Sequence, residues 1–241
     1  MQINIFQSSQ TLHQAVADEI IETVKSKSDS VLGLSTGSSP VETYKLLVKD
    51  HKENATDYRR IVTFNLDEYV GLEGDHPQSY RYFMNTHLFN QLNIPLAQTH
   101  VPLGVGDLEQ NCKAYESQIL AAGGIDLQLL GLGTNGHIGF NEPGTPFSSS
   151  THVTPLLKET IEANSRFFGA REEVPTQALT MGIKTIMEAR KIILLAYGSH
   201  KAAAIRDMVN GPVSDALPAS ILQNHGDVTL FLDEEAASLL Q

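Results

Sequence analysis

Short apolar runs alternate with amphipathic segments along almost the whole chain, and this alternation restricts the fold more than any other feature. The runs at 30–35 (SVLGLS), 61–66, 125–132, 191–197 and 228–232 have strand length and little polar character. Strands buried on both faces look like this. Between them, apolar residues fall at helical spacing. Leu12, Ala15, Val16, Ile20 and Val24 recur every three or four residues and so share one helix face. Ser39-Pro40 precedes a second helical pattern that reaches Lys49, and proline suits a first helical turn. Tyr115, Ile119 and Leu120 belong to a further helix. The repeated order predicts an α/β fold with a mostly parallel central sheet and helices on both faces. No repeat or composition break marks a linker, and 241 residues fit one large domain better than two small ones. The stretch 143–154, rich in Gly, Pro, Ser and Thr, reads as a long loop, and such loops tend to be functional.

Composition narrows the partners. With 41% apolar and 19% charged residues, the chain can build a core and does not read as disordered. Its formal net charge of −11 is the reverse of what a nucleic-acid binder carries. The same acidity does little to draw in an anion, so any phosphate site has to be built locally. A single cysteine, Cys112, excludes an internal disulfide and reads as a thiol packed on a helix. The opening Met1-Gln2-Ile3-Asn4-Ile5 has neither the basic region nor the long apolar run of a signal peptide. No stretch approaches the roughly 20 apolar residues that span a bilayer. A cytoplasmic protein with no membrane or nucleic-acid partner is expected.

In open α/β sheets, ligands gather at the carboxyl ends of the strands. Three strand ends stand out. The first is Ser35-Thr36-Gly37-Ser38-Ser39-Pro40, a hydroxyl-rich turn leading into a helix. Free N–H groups at a helix start favour an anion, and Gly37 lets a ligand approach the backbone. It is no nucleotide P-loop, because no Gly-Lys-Ser/Thr follows. Either a phosphate site or an ordinary capped turn fits. The second is Asn65-Leu66-Asp67-Glu68-Tyr69, where a carboxylate in a partly dry pocket could serve as a base. Asp67 could equally cap the next segment. The third is 130–143 (LGLGTNGHIGFNEP), in which Gly131, Gly133 and Gly136 stand in a G-x-G-x-x-G frame. A dinucleotide site needs a helix directly afterwards, and Gly139, Pro143 and Gly144 follow instead. The turn delivers His137 and Glu142, a pair suited to proton transfer near neutral pH. No histidine pair has metal-ligand spacing, Cys112 has no partner, and Ser35 lies in no G-x-S-x-G elbow. No metal and no other cofactor are expected.

Taken together, these segments resemble the glucosamine-6-phosphate deaminase family. The resemblance rests on LGLSTGSSP at 32–40, TFNLDEYVGL at 63–72, HPQSY at 76–80, GHIGFNEPGT at 136–145, NSRFF at 164–168, ALTMGI at 178–183 and GSHKA at 198–202. These run in family order over most of the chain. The resemblance implies a modified Rossmann-like fold and deamination of glucosamine 6-phosphate to fructose 6-phosphate and ammonia. It implies that Asp67 removes the C2 proton, that His137 opens the sugar ring, and that Glu142 supports His137. It also implies a phosphate site made by Ser35, Thr36, Gly37, Ser38, Ser39, Arg166 and Lys201. The segment at about 156–178 follows the catalytic turn, begins in the polar loop and carries Arg166, so a lid is expected there. Many family members carry an aspartate two residues before the ring-opening histidine; here that position is Asn135, which can accept a hydrogen bond from the ring and orient it. Larger hexameric members have a second, regulatory phosphate site with an arginine and a lysine. Here His152 and Thr154 stand in that stretch, so a short non-allosteric type is implied, as a monomer or small homo-oligomer. Two other readings are a 6-phosphogluconolactonase-like hydrolase and a non-catalytic sugar-phosphate sensor. The first lacks the F-N-E-P continuation at 140–143, and the second predicts degraded Asp67, His137 or Glu142.

Overall fold

A computed structural model describes residues 1–158, 161–162, 168 and 174–240. The chain runs β1 (Gln2–Phe6), α1 (Ser9–Ser26), β2 (Val31–Leu34), α2 (Val41–Asn54), β3 (Val62–Asn65), β4 (Asp67–Tyr69), α3 (Tyr80–His87), β5 (Thr99–His100), α4 (Leu108–Ala121) and β6 (Leu127–Leu130). It continues through β7 (His152–Pro155), β8 (Gln177–Thr180), α5 (Ile183–Met187), β9 (Lys191–Ala196), α6 (Ala202–Asn210) and β10 (Val228–Asp233). Seven strands form one sheet in the order β1-β10-β9-β6-β2-β3-β5, and every neighbouring pair is parallel. The five apolar runs all lie in this sheet.

Why the runs are apolar throughout is seen at β9. Ile192, Leu194 and Ala196 enter the core on one side, while Ile193 and Leu195 enter the core on the other. A strand with helices over both faces has no side left for polar residues. α1, α2 and α3 pack on one face, through Leu12, Tyr44 and Met84. α4, α5 and α6 pack on the other, through Tyr115, Ile186 and Ile205. The split follows from handedness. The first half of the chain steps through β1, β2, β3 and β5 toward one edge, and the second half returns through β6, β9 and β10 toward the other. Right-handed crossovers in opposite directions put their helices on opposite faces. Local signals set the helix starts. Ser8 accepts the Thr11 N–H at 3.2 Å to cap α1, and Asp107 accepts the Gln110 N–H at 3.1 Å to cap α4. Leu120 lies on α4 but points to solvent, at 80% exposure, so Tyr115 and Ile119, with Cys112, anchor that face.

Two features have no counterpart in the apolar runs. β1 is an edge strand, with Ile3 and Ile5 partly in solvent. A small antiparallel sheet, β4-β8-β7, pairs Asp67 with Thr180 and His152 with Thr180 on its other side. The stretch 143–154 is thus a loop only as far as β7. Cys112 is buried on α4. Among the described residues no helix is long and apolar enough to cross a membrane.

The loop before β7 is locked onto the start of α5. Ser149 accepts the Lys184 N–H at 2.9 Å through its carbonyl and the Ile183 N–H at 3.2 Å through its hydroxyl. This needs Gly182, because a Cβ there would lie 2.1 Å from the Ser149 carbonyl oxygen and 2.2 Å from that of Ser150. Both obstacles are backbone and cannot swing aside. Gly182→Ala is therefore expected to lower the free energy of unfolding by about 2–3 kcal/mol, read from urea denaturation. An unchanged midpoint and slope would show that this loop is not locked in place.

Candidate active site

Neighbouring strands β2 and β6 send the chain to opposite sides of the sheet, and a crevice opens where their C-terminal ends diverge. A cavity of about 610 Å3 lies there. Ser35, Thr36 and Ser39 reach it from the turn after β2, Leu66 and Asp67 from the end of β3, and 131–137 from beyond β6. Lys201 comes from beyond β9. Gly37 and Ser38 are exposed on the same turn as Ser35 and do not line the cavity. Arg166 lies outside the described residues, as does most of the 156–178 segment expected to form a lid. Of that segment, Leu156 is buried beside Tyr69 and Phe140, and Leu157 reaches the cavity.

One end of the cavity suits an anion. α2 begins after Pro40 with no side chain capping its N–H groups, so the capped-turn alternative is not what is observed. Gly37 takes φ +92°, a left-handed conformation that glycine adopts freely. The Tyr44 hydroxyl holds the turn from behind by donating to the Ser35 carbonyl at 2.5 Å. Lys201 is half-buried, burial alone pushes its ammonium pKa down, and among the described residues no carboxylate pairs with it. Its turn is fixed by Asp233 at the end of β10, whose two oxygens each accept the Gly198 N–H at 3.0 Å. A cation with no carboxylate partner among the described residues and an open helix start, lining one cavity, are prepared for an anionic group.

The other end suits proton transfer. Asp67 is buried at the end of the crevice, and burial pushes its carboxyl up to about 7. The neighbouring Glu68 charge adds to the rise, while the Thr36 hydroxyl, 3.4 Å from Oδ1, works weakly against it. Asp67 caps no helix. Ser79 caps α3, accepting the Tyr82 N–H at 3.0 Å.

His137 stands on a tight turn in which the Gly133 N–H bonds the His137 carbonyl at 2.9 Å. A Cβ on Gly133 would fall 2.3 Å from the imidazole, so only glycine admits the ring. Asn135 organises the group. Its Nδ2 donates to Glu142 Oε2 at 2.7 Å, and its Oδ1 lies 2.8 Å from His137 Nδ1. Glu142 Oε2 is itself 3.2 Å from the same Nδ1. Both oxygens are acceptors, which places the ring proton on Nδ1 and leaves Nε2 to accept a proton. Asn141 fastens the turn to the strand end after β8: its Nδ2 donates to the carbonyls of Ile138 and Met181, each at 2.8 Å.

A family model described as glucosamine-6-phosphate isomerases/6-phosphogluconolactonase matches residues 6–231. The chain belongs to this glucosamine-6-phosphate isomerase/6-phosphogluconolactonase family. A glucosamine-6-phosphate deaminase of Geobacillus sp. (strain WCH70) is 54% identical over 230 residues, covering 95% of this chain and 92% of the relative. That of Clostridium perfringens (strain 13 / Type A) is 49% identical over the full length of both. A solved structure of a monomeric glucosamine-6-phosphate deaminase superposes with a TM-score of 0.97 at 44% identity, over 99% of this chain and 100% of that one. The 6-phosphogluconolactonase of Trypanosoma brucei shares the fold, with a TM-score of 0.81 at 22% identity over 100% of this chain and 98% of that one.

Within this family fold, the cavity also has an aromatic wall, to which Tyr80 comes from outside the three strand ends. Tyr80 and Phe140 line it and stack at 6.2 Å with their planes 9° apart. Tyr80 lies in the HPQSY motif but carried no assigned role, since a tyrosine on a helix reads as core. Gly139 brings the backbone close to the acid: a Cβ there would lie 3.6 Å from Asp67 Oδ2.

The Asp67 environment has a measurable consequence for stability. Its carboxyl titrates at about 7 in the fold against 3.8 ordinarily. The cost of ionising it is absent below about pH 4, grows as the pH rises through that window, and is complete above about pH 7. Asp67→Asn removes this cost. At pH 8 the variant is expected to unfold with a free energy about 2–4 kcal/mol higher than the parent, the gain vanishing toward pH 4. A gain equal at both pH values, or none, would mean that Asp67 ionises as easily folded as unfolded.

Proposed function

We propose that the chain converts glucosamine 6-phosphate and water into fructose 6-phosphate and ammonia. The observation that carries this reading is one cavity lined by a lysine with no carboxylate partner among the described residues, by an open helix start, by a buried carboxyl and by an oriented imidazole. The names of the close relatives agree with it.

The phosphate binds at the turn 35–39 and Lys201, with Arg166 added on the strength of the family motif. Binding energy at this remote group positions the reacting carbons. His137 Nε2 takes the proton of the C1 hydroxyl and passes it to the ring oxygen, opening the ring. Glu142 and Asn135 steady the imidazolium that forms in between, Glu142 by charge and Asn135 by orientation. Asp67 removes the C2 proton and returns it to C1, which turns the aldehyde amine into a ketimine. Water adds to the C2–N bond, and ammonia leaves with the proton balance closed. A carboxyl titrating near 7 matches this task, since a base works best when its pKa lies near the operating pH.

The lactonase alternative is favoured only by relatives close enough to share a fold. A place in the breakdown of N-acetylglucosamine in the cytoplasm is part of the same proposal, as is a monomer or small homo-oligomer without allosteric activation. The net charge of −11 supports a small-molecule role over a nucleic-acid one.

The purified chain, given glucosamine 6-phosphate, is expected to release ammonia and fructose 6-phosphate in equal amounts. Asp67→Asn should lower kcat by about 10²–10⁴-fold, and Lys201→Ala should chiefly raise KM. No ammonia from the parent would overturn the proposal. Near-parental turnover in Asp67→Asn would overturn the assignment of the base.

A further inference from the structure

Asp67 shares its short strand with a second buried carboxylate. Glu68 follows it on β4 and, by strand alternation, projects from the opposite face. Backbone donors hold both of its oxygens. Oε1 accepts the Tyr69 N–H at 2.8 Å and the Tyr80 N–H at 2.9 Å, and Oε2 accepts the Arg81 N–H at 2.9 Å. Tyr80 and Arg81 open α3, so this carboxylate sits on a helix N-terminus, where free N–H groups favour an anion. The reaction described above makes no use of it.

We propose that Glu68 is a positioning residue for this reaction: its carboxylate ties the base-bearing strand to α3 and, of the two, is the one that carries the negative charge while Asp67 holds a proton. The proposal rests on the reading of Asp67 as the base. Its mechanical part follows from connectivity. β4 has three residues, too few to be held rigidly by its own ladder. Glu68 joins it to the helix that carries Tyr80, so the base and one wall of the cavity move as a unit.

The electrostatic part follows from unequal donors. Burial pushes both carboxyls up to about 7, and the Glu68 charge adds to the rise at Asp67. Glu68 has three N–H donors that favour its anion, while Asp67 has the Thr36 hydroxyl at 3.4 Å. A proton shared by the pair therefore settles on Asp67. A base that takes a proton from one carbon and returns it to the next needs that order. The other titratable groups facing Asp67 are Tyr44 from α2, Tyr69 from β4 itself, Tyr80 from α3 and Tyr115 from α4. Burial raises all four phenols, so they stay neutral at physiological pH. His137 and Lys201 face it across the cavity. Arg81 offsets part of the Glu68 charge, but its guanidinium is turned to Thr99, donating to Oγ1 and to the carbonyl at 2.8 Å each.

Glu68→Gln tests this. The amide keeps the size and removes the charge, so Asp67 ionises more readily. The acid limb of kcat/KM for ammonia release should move to lower pH by about 1 unit, with kcat reduced at neutral pH and KM little changed. A role in folding alone would lower activity equally at every pH, so an unmoved limb overturns the proposal. A second measurement uses the unaltered chain and decides the matter even if Glu68→Gln does not fold. Carboxyl 13C NMR from about pH 4 to 9 should show Glu68 as an anion where Asp67 still holds its proton, and the reverse order overturns the proposal. If the unaltered chain released no ammonia, the deaminase reading would fail while the NMR order still judged Glu68.

Discussion

The reversal of chain direction between β2 and β6 is the constraint on which the site depends. Parallel strands are obliged to return over one face by right-handed crossovers, and of the two adjacent pairs that no crossover bridges, β1–β10 and β2–β6, it is at β2–β6 that the direction reverses. There the turn after β2 and the turn after β6 splay apart. The first supplies an open helix start, and the second supplies an imidazole. β3 and β9, the next strands outward on each side, bring Asp67 and Lys201 to the same opening. Residues more than 160 positions apart thus face one cavity because of topology, with no long loop required to bring them together.

Electrostatics then gives the lining groups two characters. Some leave charge unpaired: Lys201 is desolvated with no carboxylate partner among the described residues, and α2 is left without a side-chain cap. At Asp67, charge is suppressed, because burial and Glu68 both oppose its ionisation. An acidic protein can hold an anionic sugar this way, since the local fields and not the net charge decide binding over a few ångströms. Asn135, where the family resemblance implies an aspartate in many members, fits the same logic. With Glu142 already 3.2 Å from Nδ1, a second carboxylate is not needed to orient the ring, and an amide can bridge the two by donating to one and accepting from the other.

Much of this was legible in the sequence, for a physical reason. Strands covered on both faces must be apolar, so β2, β3, β6, β9 and β10 announce themselves, and reading the turns that follow β2, β3 and β6 finds Ser35, Asp67 and His137, whereas Lys201 came only from the family resemblance. The strands that escaped are those without that requirement. β1 is an edge strand with Ile5 more than half in solvent. β4, β7 and β8 consist of DEY, HVTP and QALT, and they exist because Asp67 finds Thr180 across more than a hundred residues. Local pattern carries no trace of such pairing. Glu68 escaped for a related reason: its partners are backbone N–H groups at the start of α3, and no side-chain motif advertises them.

The central claim is that the cavity holds the phosphate at one end and the reacting carbons at the other. A crystal structure with a non-hydrolysable open-chain amino-alcohol phosphate bound is the most direct measurement. The account predicts the phosphate against the 35–39 turn and Lys201, with the amine-bearing carbon facing Asp67 and the terminal hydroxyl facing His137. A phosphate touching neither the 35–39 turn nor Lys201, or a ligand bound outside the β2–β6 crevice, would contradict it.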